Sequence, residues 1–138
     1  MSAQPGPAAV LLDTCVLLWL IGMPECLPAR VRDWLECGDT DVFVSTATLW
    51  ETLIKYRKGK LGLQTQGHSA LDFLVDACAA HRLELLPVAA RTLEPLEKLP
   101  AIHHDPFDRL LICQAIAHGL TLLTPDPEIR RYPIKNFW

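Results

Sequence analysis

Ala8-Ala-Val-Leu-Leu-Asp-Thr-Cys-Val-Leu-Leu-Trp-Leu-Ile21 decides the fold. Ala8 to Leu12 is a short apolar run that stops on Asp13, and such a run reads as a buried strand. Apolar residues resume at once from Thr14 to Ile21, as a short helix closed by Gly22 and Pro24. A strand apolar at every position has both faces covered, which is the habit of parallel sheets. Working outward, the alternation repeats. Pro28 to Cys37 predicts a helix with Pro28 in its first turn and Val31, Trp34 and Leu35 on one stripe. Asp41 to Val44 predicts a strand, and Ser45 or Thr46 caps a helix that runs to about Lys58, where Gly59 stops it. Gly67 to Arg82 predicts a longer helix, Leu83 to Leu86 a third strand, and Ala89 to Leu99 a helix that Pro95 must start or kink. Asp105 to His118 is the best-marked helix: Asp105 is a natural cap, Pro106 a natural first residue and Gly119 a natural stop. Thr121 to Thr124 predicts a fourth strand, and Tyr132 to Trp138 adds a short edge strand. The expected class is α/β, with a central parallel sheet of four to five strands.

At 138 residues the chain has room for one core, so a single domain over 1–138 is expected, with 1–7 flexible. Half the residues are apolar and 21% are charged, the balance of a soluble globular protein. No apolar run is long enough to span a bilayer, and MSAQPGPAAV lacks a basic stretch followed by an apolar one. A cytoplasmic product without membrane contact is therefore expected. Cys15, Cys26, Cys37, Cys78 and Cys113 are odd in number and show no zinc spacing, so reduced, structural thiols are expected, mostly as small apolar fillers on helices. The net charge of −3 argues weakly against nucleic acid, yet Lys55, Arg57, Lys58 and Lys60 lie close together, and Arg130, Arg131 and Lys135 sit near the end.

In parallel sheets ligands bind beyond the carboxyl ends of the strands. Asp13 and Asp126 fall at such ends, Glu51 in the second turn of the helix after strand two, and Asp108 in the first turn of the helix before strand four. The topology thus gathers four acids at one rim. At ~5 Å and an effective dielectric of ~20, each pair of unit charges costs roughly 3 kcal/mol. A cluster like this takes up protons or holds a hard cation, and a cation in an acidic pocket is what phosphodiester hydrolysis needs. Each acid also has a local use. Asp13 can cap the next helix, Asp108 can complement a helix dipole, Asp126 sits in a turn sequence, and Glu51 can pair with Lys55. Four separate local uses have no reason to share one sheet edge. Asp105 is explained by capping alone and is left outside the set. An all-oxygen site suits Mg²⁺ or Mn²⁺.

Val10-Leu-Leu-Asp-Thr-Cys-Val-Leu-Leu-Trp19 resembles the opening of PIN-domain ribonucleases of the VapC toxin type. Three further blocks resemble them in the same order. They are Val44 to Leu61, Leu99 to Ala115 (with His103-His-Asp-Pro-Phe-Asp-Arg109) and Leu122-Leu-Thr-Pro-Asp126. The resemblance implies a PIN-like three-layer α/β/α sandwich and a Mg²⁺- or Mn²⁺-dependent endoribonuclease, cleaving RNA by a metal-activated water and leaving 5′-phosphate and 3′-hydroxyl ends. It carries the acids over to Asp13, Glu51, Asp108 and Asp126 as catalytic and metal-binding residues. It sets Thr124 beside the last acid, and it implies a cognate antitoxin and a homodimer. Cys15 departs from the subgroup, which often has His there, and bears on substrate fit.

RNA contacts are expected from Lys55, Arg57, Lys58, Lys60, Arg109 and Thr124. His103 and His104 read as loop packing, since no metal-free His/His/Lys constellation is visible. Trp19, Trp34 and Trp50 read as core or interface. Two rival readings remain: an aspartate-based phosphoryl-transfer enzyme, although Asp13-Thr14-Cys15 lacks a second Asp two residues on, and a non-catalytic acidic-pocket binding module.

Overall fold

The computed structural model describes residues 7–138. The expected flexibility of 1–7 therefore falls, save for Pro7, outside the described residues. Five strands form one sheet: β1 Ala9–Leu12, β2 Asp41–Ser45, β3 Glu84–Leu86, β4 Thr121–Leu123 and β5 Asn136–Phe137. Their order is β3-β2-β1-β4-β5 and every neighbouring pair is parallel. The chain first winds outward from β1 to β2 and β3, then returns to place β4 on the other side of β1. That reversal opens a crevice beyond the carboxyl ends of β1 and β4.

Alternation along the strands builds two cores. Val10, Leu12, Val42, Val44 and Leu123 point to one face, where α1 (Thr14–Gly22), α2 (Ala29–Glu36) and α4 (Ala70–Ala80) supply Val16, Leu17, Val31, Leu74 and Cys78. Leu11, Phe43 and Leu122 point to the other, against Leu111, Ile112 and Ala115 of α5 (Pro106–His118). α3 (Thr46–Arg57) contributes Leu49 and Leu53 to the first core and contacts α1, α4 and α5. The result is the expected sandwich. Among the described residues no helix is long and apolar enough to cross a membrane.

The caps explain the element limits. Ser45 Oγ accepts from Ala47 N at 3.0 Å and starts α3, and Gly59 stops it at φ 73°. Asp105 Oδ1 accepts from Phe107 N at 2.9 Å and Asp108 N at 3.2 Å, and Gly119 closes α5 at φ 65°. Two expectations are corrected. α4 begins after Ser69 rather than at Gly67, because the Ser69 hydroxyl takes the Asp72 N–H. Ala90–Lys98 winds as 3₁₀ turns rather than an α-helix. Pro95 has no N–H to give to Arg91, and its ring clashes with that carbonyl.

Candidate active site

Asp13 follows Val10, Leu11 and Leu12 of β1, which are fully buried, and is itself 5% exposed. Its Oδ1 accepts from Thr14 N at 2.7 Å, which caps α1. Its Oδ2 accepts from Thr124 Oγ1 at 2.7 Å, across 111 residues of chain. The same Thr124 oxygen accepts from Asp126 N at 3.0 Å, so one hydroxyl spaces two acids. Thr14 in turn donates to Glu51 Oε1 at 2.7 Å, and Glu51 Oε2 meets Lys55 Nζ at 3.0 Å. Asp126 Oδ1 accepts from Glu128 N at 2.8 Å, a local turn bond. The local and the convergent uses therefore coexist. A carboxylate has two oxygens, and Asp13, Glu51 and Asp126 each spend one on a neighbour in sequence and turn the other toward a distant residue: Thr124, Thr14 and His103 respectively.

The outer side of the cluster is bridged by an imidazole. His103 Nε2 lies 2.7 Å from Asp108 Oδ2 and 3.9 Å from Asp126 Oδ2. These donor atoms of His103, Asp108 and Asp126 all fall within 4.8 Å of one another. The loop bearing His103 is held at both of its backbone groups. His103 N–H donates to Tyr132 Oη at 2.7 Å, while its carbonyl accepts from Tyr132 Oη at 3.3 Å and Arg109 Nη1 at 3.4 Å.

The charges strain against burial. Asp13 is raised, chiefly because burial penalises its carboxylate and also by the Asp126 charge, with the bonds from Thr124, Thr14 and Cys15 pulling the other way. Burial, then the charges of Asp13 and Asp105, push Asp108 up to about 7. His103 is raised although burial lowers it, because the bond to Asp108 and the charges of Asp108, Asp126 and Asp105 outweigh that. The proton between His103 and Asp108 belongs to the pair, not to either residue. Cys15, whose thiol lies 3.7 Å from Asp13 Oδ2, is pushed up to about 12 by burial and the neighbouring acids, so it stays a thiol.

The family model described as PIN domain matches residues 10–135. This chain belongs to the PIN-domain family. Solved structures resemble it along nearly its whole length. VapBC2 from Rickettsia felis bound to a DNA fragment from its promoter has TM-score 0.67 and 21% identity, over 94% of this chain and 97% of that one. DNA-bound VapBC from Salmonella typhimurium has TM-score 0.61 and 19% identity, over 95% and 98%. A domain of a functionally unknown protein from Methanocaldococcus jannaschii has TM-score 0.56 and 20% identity, over 96% and 91%. At such identities the likeness is one of fold. No curated protein matches the chain.

A PIN domain implies a divalent ion, and the donors here fit one. They are predominantly carboxylate oxygens, and two of these acids are pushed toward the protonated state, Asp13 by burial and the Asp126 charge, Asp108 by burial and the charges of Asp13 and Asp105. A cation among them reverses that penalty. Asp108 and Asp126, with His103, already bring their oxygens and nitrogen within 4.8 Å of one another and would hold it; Asp13, tied to Asp126 through Thr124, and Glu51, beyond Thr14, lie outside that tight group.

Other residues stand differently from their sequence reading. Thr124 is fully buried, and its hydroxyl donates to Asp13 and accepts from Asp126 N–H, so in this structure it positions acids. Arg109 Nη1 donates to the Pro100 and His103 carbonyls and to Tyr132 Oη. Lys55 is engaged by Glu51, while Arg57, Lys58 and Lys60 are exposed at the end of α3. His103 belongs to the acid cluster rather than to loop packing. The signal for it lay in its spacing, five residues before Asp108 in the loop that enters α5. His104 is exposed. Trp19 and Trp34 pack against Trp138 and Phe137, but Trp50 is 61% exposed, edge-on to Phe107, and is no core residue. All five cysteines are free, yet Cys26 and Cys37 are exposed and are not fillers.

Proposed function

We propose that this chain is a single PIN domain acting as a divalent-metal-dependent endoribonuclease, the toxin of a toxin–antitoxin pair. One observation carries the reading: Thr14, through its hydroxyl and its N–H, and the Thr124 hydroxyl tie Glu51, Asp13 and Asp126 into one network, with Asp126 close to Asp108 and His103. These neutral donors orient the Asp13 carboxylate without cancelling its charge, which leaves that charge for a cation. When bound, Mg²⁺ or Mn²⁺ activates water and neutralises the charge that develops on the phosphate. Asp13, fixed at the end of a buried strand, sets the position of the site. Asp108 and Asp126 complete it, and Glu51 orients groups on the Thr14 side. Arg57, Lys58 and Lys60 offer exposed charge to the RNA backbone, which makes binding salt-sensitive. The antitoxin partner, the homodimer and a cytoplasmic setting belong to the same reading, which the resemblance in fold to VapBC proteins supports.

The test is RNA cleavage by the purified chain, with sequencing of the new ends. We expect Mg²⁺- or Mn²⁺-dependent cuts with 5′-phosphate ends, abolished by EDTA. Asp13→Asn, which keeps an acceptor for Thr14 N, should fold and lose activity by on the order of 10³-fold. Undiminished cleavage by folded Asp13→Asn protein discards the mechanism. An acid-stable phosphoenzyme in place of cut RNA would favour the phosphoryl-transfer reading.

A further inference from the structure

We propose that His103 is a nitrogen ligand of the divalent ion, making this a centre that prefers Mn²⁺ or a related first-row transition ion over Mg²⁺. The inference rests on the nuclease reading only for the presence of an ion at the acid cluster. Three observations carry it. His103 Nε2 shares a donor group with Asp108 and Asp126 in which all atoms lie within 4.8 Å. Adjacent ligands of an ion with bonds of ~2.1 Å stand roughly 3 Å apart. The separations of 2.7 Å to Asp108 and 3.9 Å to Asp126 bracket that value.

The second observation is the rigidity of the loop. Tyr132, itself buried, bonds both the N–H and the carbonyl of His103, and Arg109 bonds that carbonyl, the Tyr132 hydroxyl and Pro100. Two side chains from separate elements are thus spent on the backbone of one loop residue. Such support fixes an imidazole to the precision a metal ligand needs. The third is the contrast with its neighbour. His104 is exposed, beside Leu93, Leu96 and Leu110 and away from the acids. The chemistry then sets the choice of ion. Carboxylates alone serve Mg²⁺, whereas an imidazole suits softer first-row ions and Mg²⁺ seldom takes one.

The test needs no RNA. Pulsed EPR of Mn²⁺ bound to the intact chain should show coupling to a directly bound nitrogen, and His103→Gln should lose it while His104→Gln keeps it. By calorimetry, His103→Gln should bind Mn²⁺ at least roughly tenfold more weakly. His103→Asp should narrow the preference for Mn²⁺ over Mg²⁺. Tyr132→Phe, which frees the loop but leaves the imidazole, should weaken Mn²⁺ binding by a smaller factor. Bound Mn²⁺ without nitrogen coupling in the wild-type chain overturns the proposal, whatever the variants do. So does unchanged Mn²⁺ affinity in folded His103→Gln protein. Cleavage of RNA without nitrogen coupling would sink this inference and leave the nuclease standing. Nitrogen coupling without cleavage would do the reverse.

Discussion

The two sides of the acid cluster are built by different means. On the inner side, Asp13 and Glu51 are buried and are oriented by the hydroxyls of Thr14 and Thr124. On the outer side, Asp108 and Asp126 are partly open and face an imidazole. Hydroxyls fix geometry and leave charge alone, whereas a histidine also adjusts charge. The inner side is thus a rigid frame and the outer side a titratable one. A rigid frame places a ligand to within fractions of an ångström, and a titratable rim lets the cluster survive when its charge is not otherwise balanced.

The largest test of that division is Thr124→Val. The shape is kept, but Asp13 Oδ2 loses the Thr124 hydroxyl and keeps only the distant Cys15 thiol, and Asp126 N–H loses its acceptor. We expect a loss of about 1–3 kcal/mol in urea unfolding, and a fall in cleavage of roughly 10–100-fold from acids left unspaced. If Thr124→Val is neutral for both, the inner frame is not rigid in the way described.

A pH series in EDTA sharpens the contrast next. Asp108 titrates at about 7 in the folded chain against 3.8 as a free side chain, so the folded state keeps a proton that the unfolded state has released. Its stabilising share is complete below about pH 4 and is lost as pH rises through about 7. His103 is raised above 6.5, so its share has the same sign and is lost as pH rises beyond that value. Urea unfolding should therefore show stability declining from acid to alkaline pH, and Asp108→Asn should flatten the decline. A rise in stability over that range would contradict the charge balance drawn for the outer rim.

The smallest effect belongs to Lys55. It is half exposed, one turn from Glu51, and pairs with an oxygen that Thr14 does not use. Its pKa is raised, as the bond and charge of Glu51 outweigh burial. Lys55→Met should change stability by less than about 1 kcal/mol, because exposed pairs of this kind contribute little. A larger loss would mean that the inner frame depends on a cation as the outer rim does.

The sheet and its rim were legible because they depend on local rules. Val10 to Leu12 could only be a doubly buried strand, and Asp105-Pro106 with Gly119 marked both ends of α5. Strand ends and helix starts were enough to place Asp108 and Asp126 together, but not to show that His103 joins them while Asp13 and Glu51 sit outside that close group. What the chain order hides is side-chain commitment. Nothing local says that Thr124 turns inward to Asp13 or that Arg109 reaches the Pro100 carbonyl, since both contacts exist only once β4 and α5 are docked. His103 was missed for a related reason: Tyr132, 29 residues away, is what holds it in place. The 3₁₀ turns around Pro95 show the opposite case, a local steric rule winning over an amphipathic pattern.

Because β1 lies between β2 and β4, the residue it carries at its tip has neighbours drawn from the first half and the last sixth of the sequence. A chain still being made owns Asp13 and Glu51 long before it owns Asp126. Any cut between Arg57 and Asp105 parts the two groups of acids. Neither piece holds the full set, so the cluster is incomplete until synthesis has passed residue 126 and the distant segments have met. Such late, long-range closure also predicts slow folding, since the ordering cost falls due before the contacts that reward it.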